Sequence, residues 1–147
     1  YKGDSIELFF DWDRETDIKN SVFNDDDCQL LFAVKGCAET KDEIAKGPDD
    51  YSGNRAFQIS NVKYATSKTN NGYCAEIAVP LSPLCKLSAA EKKPIGFSMT
   101  VTDINRKFEE KSKFIWSGAD KNYSDTSGFG LLIFDKFPPA EKTKGKP

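Results

Sequence analysis

Glu7 is a carboxylate in the middle of a segment that alternates between apolar and polar residues. Ile6, Leu8 and Phe10 share one side of this segment, and Glu7 lies on the other side with Phe9. Such alternation is typical of a strand with one face in a core. Because an unpaired carboxylate is rarely buried, Glu7 must face water or have a polar partner. A carboxylate in this position can accept hydrogen bonds from a ligand or serve as a catalytic group.

The chain contains no histidine, which narrows the chemistry available to it. Ser-His-Asp and Cys-His catalysis are excluded, as are metals and haem held by histidine. Catalysis would have to depend on carboxylates, lysines or tyrosines. A glycosidase needs a pair of carboxylates, and Glu7 and Glu76 are the mid-strand glutamates that could form it. We expect Glu76 to lie at a different sheet position, which argues against an enzyme.

Length and charge indicate one globular domain without a polyanionic partner. Among 147 residues, Lys and Arg number 21 against 23 Asp and Glu, and the basic residues are scattered. This balance gives no reason to expect nucleic-acid binding. No apolar run approaches the roughly 20 residues that span a bilayer, so we expect no membrane span.

Four cysteines form an even set: Cys28, Cys37, Cys74 and Cys85. None belongs to a CxxC pair, and no histidine completes a mixed zinc site. We predict two disulfides in an exported protein that is extracellular or on the cell surface. Four cysteines allow three connectivities, and the sequence does not choose among them. Four reduced, half-buried thiols are the alternative.

An acidic run precedes the second strand-like segment. It consists of Asp25, Asp26 and Asp27, with further aspartates at positions 11, 13 and 17. Carboxylate oxygens in flexible geometry are the ligands that calcium prefers. We therefore predict a structural calcium ion at this run, although its spacing is not that of an EF-hand. A solvated acidic loop is the alternative.

Strand-like segments recur along the whole chain, and helical ones hardly occur. The strand-like segments are residues 1–11, 28–34, 56–68, 73–79, 95–103, 114–116 and 129–134. Asn70-Asn71-Gly72 predicts a tight hairpin turn, because Asn and Gly accept positive φ. The pattern predicts an all-β fold, an antiparallel β-sandwich of immunoglobulin-like or jelly-roll-like type with one short helix.

The remaining segments complete the expected domain. Residues 81–92 form the candidate helix, and residues 35–54 are expected to be a long loop. Met99 and Trp116 are assigned to the core because they lie in apolar blocks. The sandwich is expected over residues 1–136, and the Pro- and Lys-rich residues 137–147 are expected to be a tail or linker.

The order of these segments resembles the family 9 carbohydrate-binding modules, which are DOMON-like β-sandwiches. The matching blocks are DSIELFFD, DDDCQLLF, GYCAEIAVP, IGFSMTVTD, FIWSG and SGFGLLIF, in that order. The resemblance implies a non-catalytic module of a larger secreted or surface protein that binds chain ends of glucose- or xylose-based polysaccharides. Family members carry further strands ahead of the first block. The resemblance therefore implies that the N-terminal part of the domain is absent from this chain or supplied by a second polypeptide.

In modules of this family, two aromatic side chains sandwich a terminal sugar ring while polar side chains bind its hydroxyls. The resemblance assigns Tyr1 and Tyr123 to the aromatic clamp and Glu7 and Gln29 to the hydroxyls. It places Asp120 where the family can carry an amide. These side chains also suit a sugar on physical grounds. The C–H faces of the ring pack on aromatic rings, and a carboxylate makes charge-assisted hydrogen bonds to hydroxyls.

The chain departs from the family pattern where family members can place arginines. Leu31 and Glu110 occupy those positions, so Lys111 or Lys113 would have to supply the missing donors. The second hypothesis is therefore a structural or protein-interaction sandwich that has lost sugar binding. Unpaired sheet edges would favour strand addition from another chain in that case.

Overall fold

The computed structural model describes residues 4–17, 21–24, 26–34, 44–46, 62–79, 94–104 and 111–133. Its elements, in chain order, are β1 (Ser5–Asp11), α1 (Arg14–Asp17), β2 (Asp27–Ala33), β3 (Ile44–Lys46), β4 (Lys63–Thr69), β5 (Gly72–Ala78), β6 (Ile95–Ile104), β7 (Lys111–Ile115) and β8 (Gly130–Leu132). No helix in this part of the chain is long and apolar enough to cross a bilayer.

The strands form two antiparallel sheets. The larger sheet has the order β3-β2-β1-β6-β7, and β8 pairs with the first residues of β6 on the side where β7 pairs with its last residues. The smaller sheet is the β4-β5 hairpin. This arrangement confirms the predicted all-β fold with antiparallel sheets.

Alternation along the strands gives the larger sheet two different faces. Leu8 of β1 lies opposite Leu30 of β2 and Met99 of β6, so apolar residues meet across three neighbouring strands. We call this side the inner face. It packs against the hairpin, where the rings of Phe32 and Tyr64 lie 5.6 Å apart across the two sheets. The inner face therefore forms the sandwich core, as the sequence pattern predicted.

The opposite side, which we call the outer face, is mostly polar. It carries Ser5, Glu7, Phe9 and Asp11 of β1, Asp27, Gln29 and Leu31 of β2, Gly96, Ser98, Thr100 and Thr102 of β6, and Lys113 and Ile115 of β7. Ser98 is 0% exposed and Thr100 is 1% exposed. Buried polar groups must be hydrogen-bonded, so this face needs a cover that supplies partners.

Several local predictions can be compared with the structure. The hairpin is confirmed, with Thr69 paired to Gly72 across the predicted Asn-Asn turn. The expected long loop contains a strand, because Ala45 of β3 pairs with Leu31 of β2. The predicted helix at residues 81–92 and the tail at residues 137–147 lie outside the described residues.

The assignment of Trp116 to the core is wrong. Its side chain is 57% exposed because the residue follows the end of β7 at the margin of the sheet. The indole ring lies 5.6 Å from the ring of Phe97. It also lies so close to Gly130 that a Cβ there would be 2.6 Å from the indole. Met99, by contrast, packs against the core as predicted.

Cys28 and Cys74 are free thiols in different surroundings. Cys28 is buried in the core on β2, and Cys74 is exposed on the outward side of the hairpin. The structure therefore contradicts the prediction that all four cysteines form two disulfides. Cys37 and Cys85 lie outside the described residues.

The two thiols are expected to react very differently with iodoacetamide. Burial, together with the neighbouring Asp27 carboxylate, raises the pKa of the Cys28 thiol to about 12. Because only the thiolate reacts, native Cys28 should stay unlabelled from about pH 7 to about pH 10, whereas the exposed Cys74 should be labelled. Peptide mass spectrometry after timed labelling measures both rates. If native Cys28 were labelled as fast as Cys74, the burial of the Cys28 thiol would be contradicted. As a control, unfolding in guanidinium should abolish the difference between the two labelling rates.

Candidate binding site on the outer face

Glu7 and Gln29 form a hydrogen-bonded pair near the centre of the outer face. They lie on the adjacent strands β1 and β2, and Gln29 Nε2 donates to Glu7 Oε2 at 2.9 Å. Both side chains are half-buried. Gln29 Oε1 is buried and accepts no hydrogen bond from the residues that the structure describes. A buried acceptor of this kind costs free energy unless a donor reaches it.

Lys113 and Asp120 form a second polar pair. Lys113 lies opposite Thr102 in the β6-β7 ladder, which places it on the outer face. Its Nζ lies 3.2 Å from Asp120 Oδ1, and the Asp120 side chain is 79% exposed. Exposed ion pairs contribute little to stability, so both groups can exchange partners with ligand hydroxyls. Lys113 thus supplies a hydrogen-bond donor on the outer face, where the apolar side chain of Leu31 offers none.

Asp120 belongs to a loop, residues 117–129, that covers part of the outer face. The Asn122 side chain, only 2% exposed, holds this loop in place. Its Nδ2 donates to Ser98 Oγ at 2.8 Å and to the Ser117 carbonyl at 3.0 Å, and its Oδ1 accepts from the Ala119 amide at 2.9 Å. The Asn122 amide is therefore engaged inside the protein.

A glycine and an aromatic cluster also hold this loop in place. Gly118 has φ of +84°, and a Cβ on it would collide with the Asn122 amide, so the turn requires glycine. Phe9, Phe23 and Phe129 form a buried cluster, with the rings of Phe9 and Phe129 6.1 Å apart. The loop is thus anchored by hydrogen bonds near its start and by apolar packing at its end.

Tyr123 presents an aromatic side chain at the surface of the same loop. It follows Asn122 directly and is 37% exposed. Asp120 lies three residues earlier, so the fixed loop carries both an aromatic group and a charged group. The loop can therefore supply one wall of a site, and the Glu7–Gln29 pair can supply another.

A cluster of carboxylates lies at the end of β1. Oxygen atoms of Asp11, Asp26 and Asp27 all lie within 4.8 Å of one another, and Asp11 and Asp27 are 0% exposed. Gly96 leaves room for this cluster, since a Cβ there would lie 2.8 Å from Asp11 Cβ. Arg14 Nη1 lies 3.5 Å from Asp11 Oδ2 and compensates part of the charge. Buried like charges so close together favour a bound cation.

The structure adds one residue to the predicted calcium ligands. Calcium was expected at Asp25, Asp26 and Asp27. Asp26 and Asp27 come together, and Asp11 joins them because the β1-β2 register places it opposite Asp27. Asp25 lies outside the described residues. The donors present fit calcium, which takes roughly six to eight oxygen ligands in variable geometry.

The predicted sugar-binding residues can be placed individually. Glu7 and Gln29 contact each other, whereas Asp120 and Tyr123 share the loop at residues 117–129. Tyr1 lies outside the described residues. Sequence reasoning missed the structural role of Asn122, because its partners are 5 and 24 residues away and no local pattern marks them.

Comparison with known proteins supplies the family. The family model described as "Carbohydrate family 9 binding domain-like" matches residues 1–136. The chain belongs to this family. Membership confirms the resemblance drawn from the sequence blocks. The family is one of carbohydrate-binding domains.

Three curated relatives match nearly the whole chain. Endo-1,4-beta-xylanase C of Paenibacillus barcinonensis is 33% identical over 92% of this chain. Exoglucanase XynX of Acetivibrio thermocellus is 27% identical over 94% of it, and Endo-1,4-beta-xylanase A of Thermoanaerobacterium saccharolyticum is 25% identical over 99%. The chain spans 11% of the length of each relative. No solved structure matches it.

Removal of the Asn122 amide is expected to loosen the loop. Asn122→Ala deletes three hydrogen bonds and leaves Ser98 Oγ with one partner fewer in a buried place. Urea denaturation should show a free energy of unfolding lower by about 2–3 kcal/mol. Ser124→Ala, which changes an exposed hydroxyl of the same loop, should stay within about 0.5 kcal/mol of the parent. Equal stability of the two variants would show that Asn122 does not anchor the loop.

Proposed function

We propose that the outer face binds the chain ends of glucose- or xylose-based polysaccharides, without catalysis, as a module of a larger exported protein. The observation that carries this proposal is the Gln29–Glu7 hydrogen bond, a polar pair held on two paired strands of a carbohydrate-binding family. The names of the relatives, two xylanases and an exoglucanase, support the choice of sugars. Export follows from the ligand, because polysaccharide substrates of this kind lie outside the cell.

Each side chain has a distinct task in this proposal. The Glu7 carboxylate accepts hydrogen bonds from sugar hydroxyls, and such charge-assisted bonds are roughly twice as strong as neutral ones. The Gln29 amide nitrogen holds Glu7 in place, and the Gln29 amide oxygen is offered to a sugar hydroxyl. Lys113 donates and Asp120 accepts at the other side of the ring. Tyr123 packs on one face of the ring, with Tyr1 as the second aromatic of the clamp.

The placement of Glu76 supports a binding role rather than hydrolysis. Glu76 is exposed on β5, whose neighbouring residues Ala75 and Ile77 pack against the core. It therefore points away from the sandwich, on the sheet opposite to Glu7. The two glutamates do not form the facing pair that a glycosidase requires.

Protein interaction is a second candidate function, and one surface favours it. Phe114 and Trp116 are 65% and 57% exposed on the inner side of β7. Exposed aromatic residues of this kind often mark interfaces. The two functions use different surfaces, so Tyr123→Ala should affect sugar binding alone and Trp116→Ala should affect a protein complex alone.

Titration calorimetry with cellobiose and xylobiose tests the proposed sugar site. Glu7→Gln and Tyr123→Ala should each weaken binding by about tenfold or more, through loss of charge-assisted hydrogen bonds and of ring packing respectively. Glu76→Gln is the matched control, an exposed mid-strand glutamate that should bind like the parent protein. Absence of heat from the parent protein with both sugars would refute the proposal.

We also propose that Asp11, Asp26 and Asp27 hold a structural calcium ion. Calcium at about a hundredfold above its Kd should stabilise the fold by about 2.7 kcal/mol, which corresponds to a rise in Tm of roughly 5–10 °C for a domain of this size. Calorimetry in calcium and in EDTA measures the shift. Asp11→Asn should abolish it, whereas Asp103→Asn, an exposed aspartate on β6, should not. An unchanged Tm in the parent protein would contradict the calcium site.

A further inference from the structure

We infer that Arg14 is a positioning residue that sets the distance between the two walls of the sugar site. This inference rests on the proposed function. Arg14 begins α1, directly after the strand that carries Glu7. Its Nη1 donates to the Thr126 carbonyl and its Nη2 to the Ser127 carbonyl, each at 2.9 Å. These carbonyls belong to the loop at residues 117–129, so one side chain ties that loop to β1.

The guanidinium is itself held from the opposite side. Asp11 Oδ2 lies 3.5 Å from Arg14 Nη1, and the Asp11 side chain is 0% exposed while that of Arg14 is 14% exposed. Asp11 is fixed in turn by its place in β1, opposite Asp27 and Gly96. A planar guanidinium offers several donors in a rigid fork, so it can meet the carboxylate and two carbonyls at once. A lysine at this position keeps the charge but lacks that fork.

Arg14 acts on the middle portion of the loop, which backbone hydrogen bonds to residues 21–23 also hold. The Asn122 amide holds residues near the start of the loop, and Phe129 packs at its end. Between them, Thr126 is 0% exposed, and its amide donates to the Ser21 carbonyl at 2.8 Å. The two Arg14 bonds fix this middle portion relative to β1.

Distance argues that the effect on sugar binding is indirect. Asp11 follows Glu7 by four positions along β1, which corresponds to about 13 Å at the rise of a strand. The Arg14 guanidinium lies next to Asp11, and it donates to the carbonyls of Thr126 and Ser127 in the loop. Arg14 therefore positions the wall that carries Tyr123 and does not bind the sugar itself.

A double-mutant cycle tests this role. Arg14→Lys should weaken binding of cellobiose or xylobiose about tenfold in the parent protein, because Tyr123 loses its fixed position. In the Tyr123→Ala background the same change should cost less than about twofold. Lys63→Gln, which removes an exposed cation on β4, is the control and should leave affinity unchanged in both backgrounds. Equal losses from Arg14→Lys in both backgrounds would overturn the inference.

Amide hydrogen exchange tests the same claim without a sugar. In Arg14→Lys, the amides of Thr126 and Phe129, which donate within or beside the loop, should exchange at least about tenfold faster. The Leu8 amide in β1 should not change. Unchanged loop exchange would overturn the positioning role even where sugar binding falls. If the parent protein binds neither sugar, the proposed function fails, and the exchange rates alone decide whether Arg14 holds the loop.

Discussion

The site depends on the hydrogen bonds of the Asn122 amide with Ser98 and Ser117. The outer face of β6 is polar yet buried, and a polar group buried without a partner costs about 1–3 kcal/mol. The amide satisfies the Ser98 hydroxyl and in doing so fixes residues 117–129 against the sheet. The loop that carries Tyr123 and Asp120 is therefore fixed to the strands beneath it. A binding wall built this way needs little further ordering when a ligand arrives.

Strand β1 has a different role on each of its two sides. Its inner residues, such as Leu8, pack in the core between the two sheets, while Glu7 meets Gln29 on the outer face. Because the core fixes the strand, the carboxylate is placed by the fold and not by a flexible segment. Family membership shows that the domain is of a carbohydrate-binding kind. We propose the outer face as the location of that role, with Arg14 connecting the strand to the loop.

Local patterns in the sequence predict a good part of this structure. Two-residue periodicity identified both faces of β1, β2 and β6, and the Asn-Asn-Gly turn identified the hairpin, because these features are set by neighbouring residues. The failures concern contacts between distant residues. Arg14 meets Thr126 across 112 positions, and Asp11 joins Asp26 and Asp27 only through the β1-β2 register. Trp116 lies in an apolar block, yet the margin of the sheet leaves it exposed.

The central claim is that the outer face of the larger sheet, with Glu7 at its centre, is the ligand surface. Titration of the isotope-labelled protein with xylobiose and cellobiose, followed by amide chemical shifts, tests it most directly. We expect shifts that saturate together at Glu7, Gln29, Lys113 and residues 119–124, with the β4-β5 hairpin unchanged. Saturable shifts confined to the hairpin or to the inner side of β7, with the outer face silent, would contradict it.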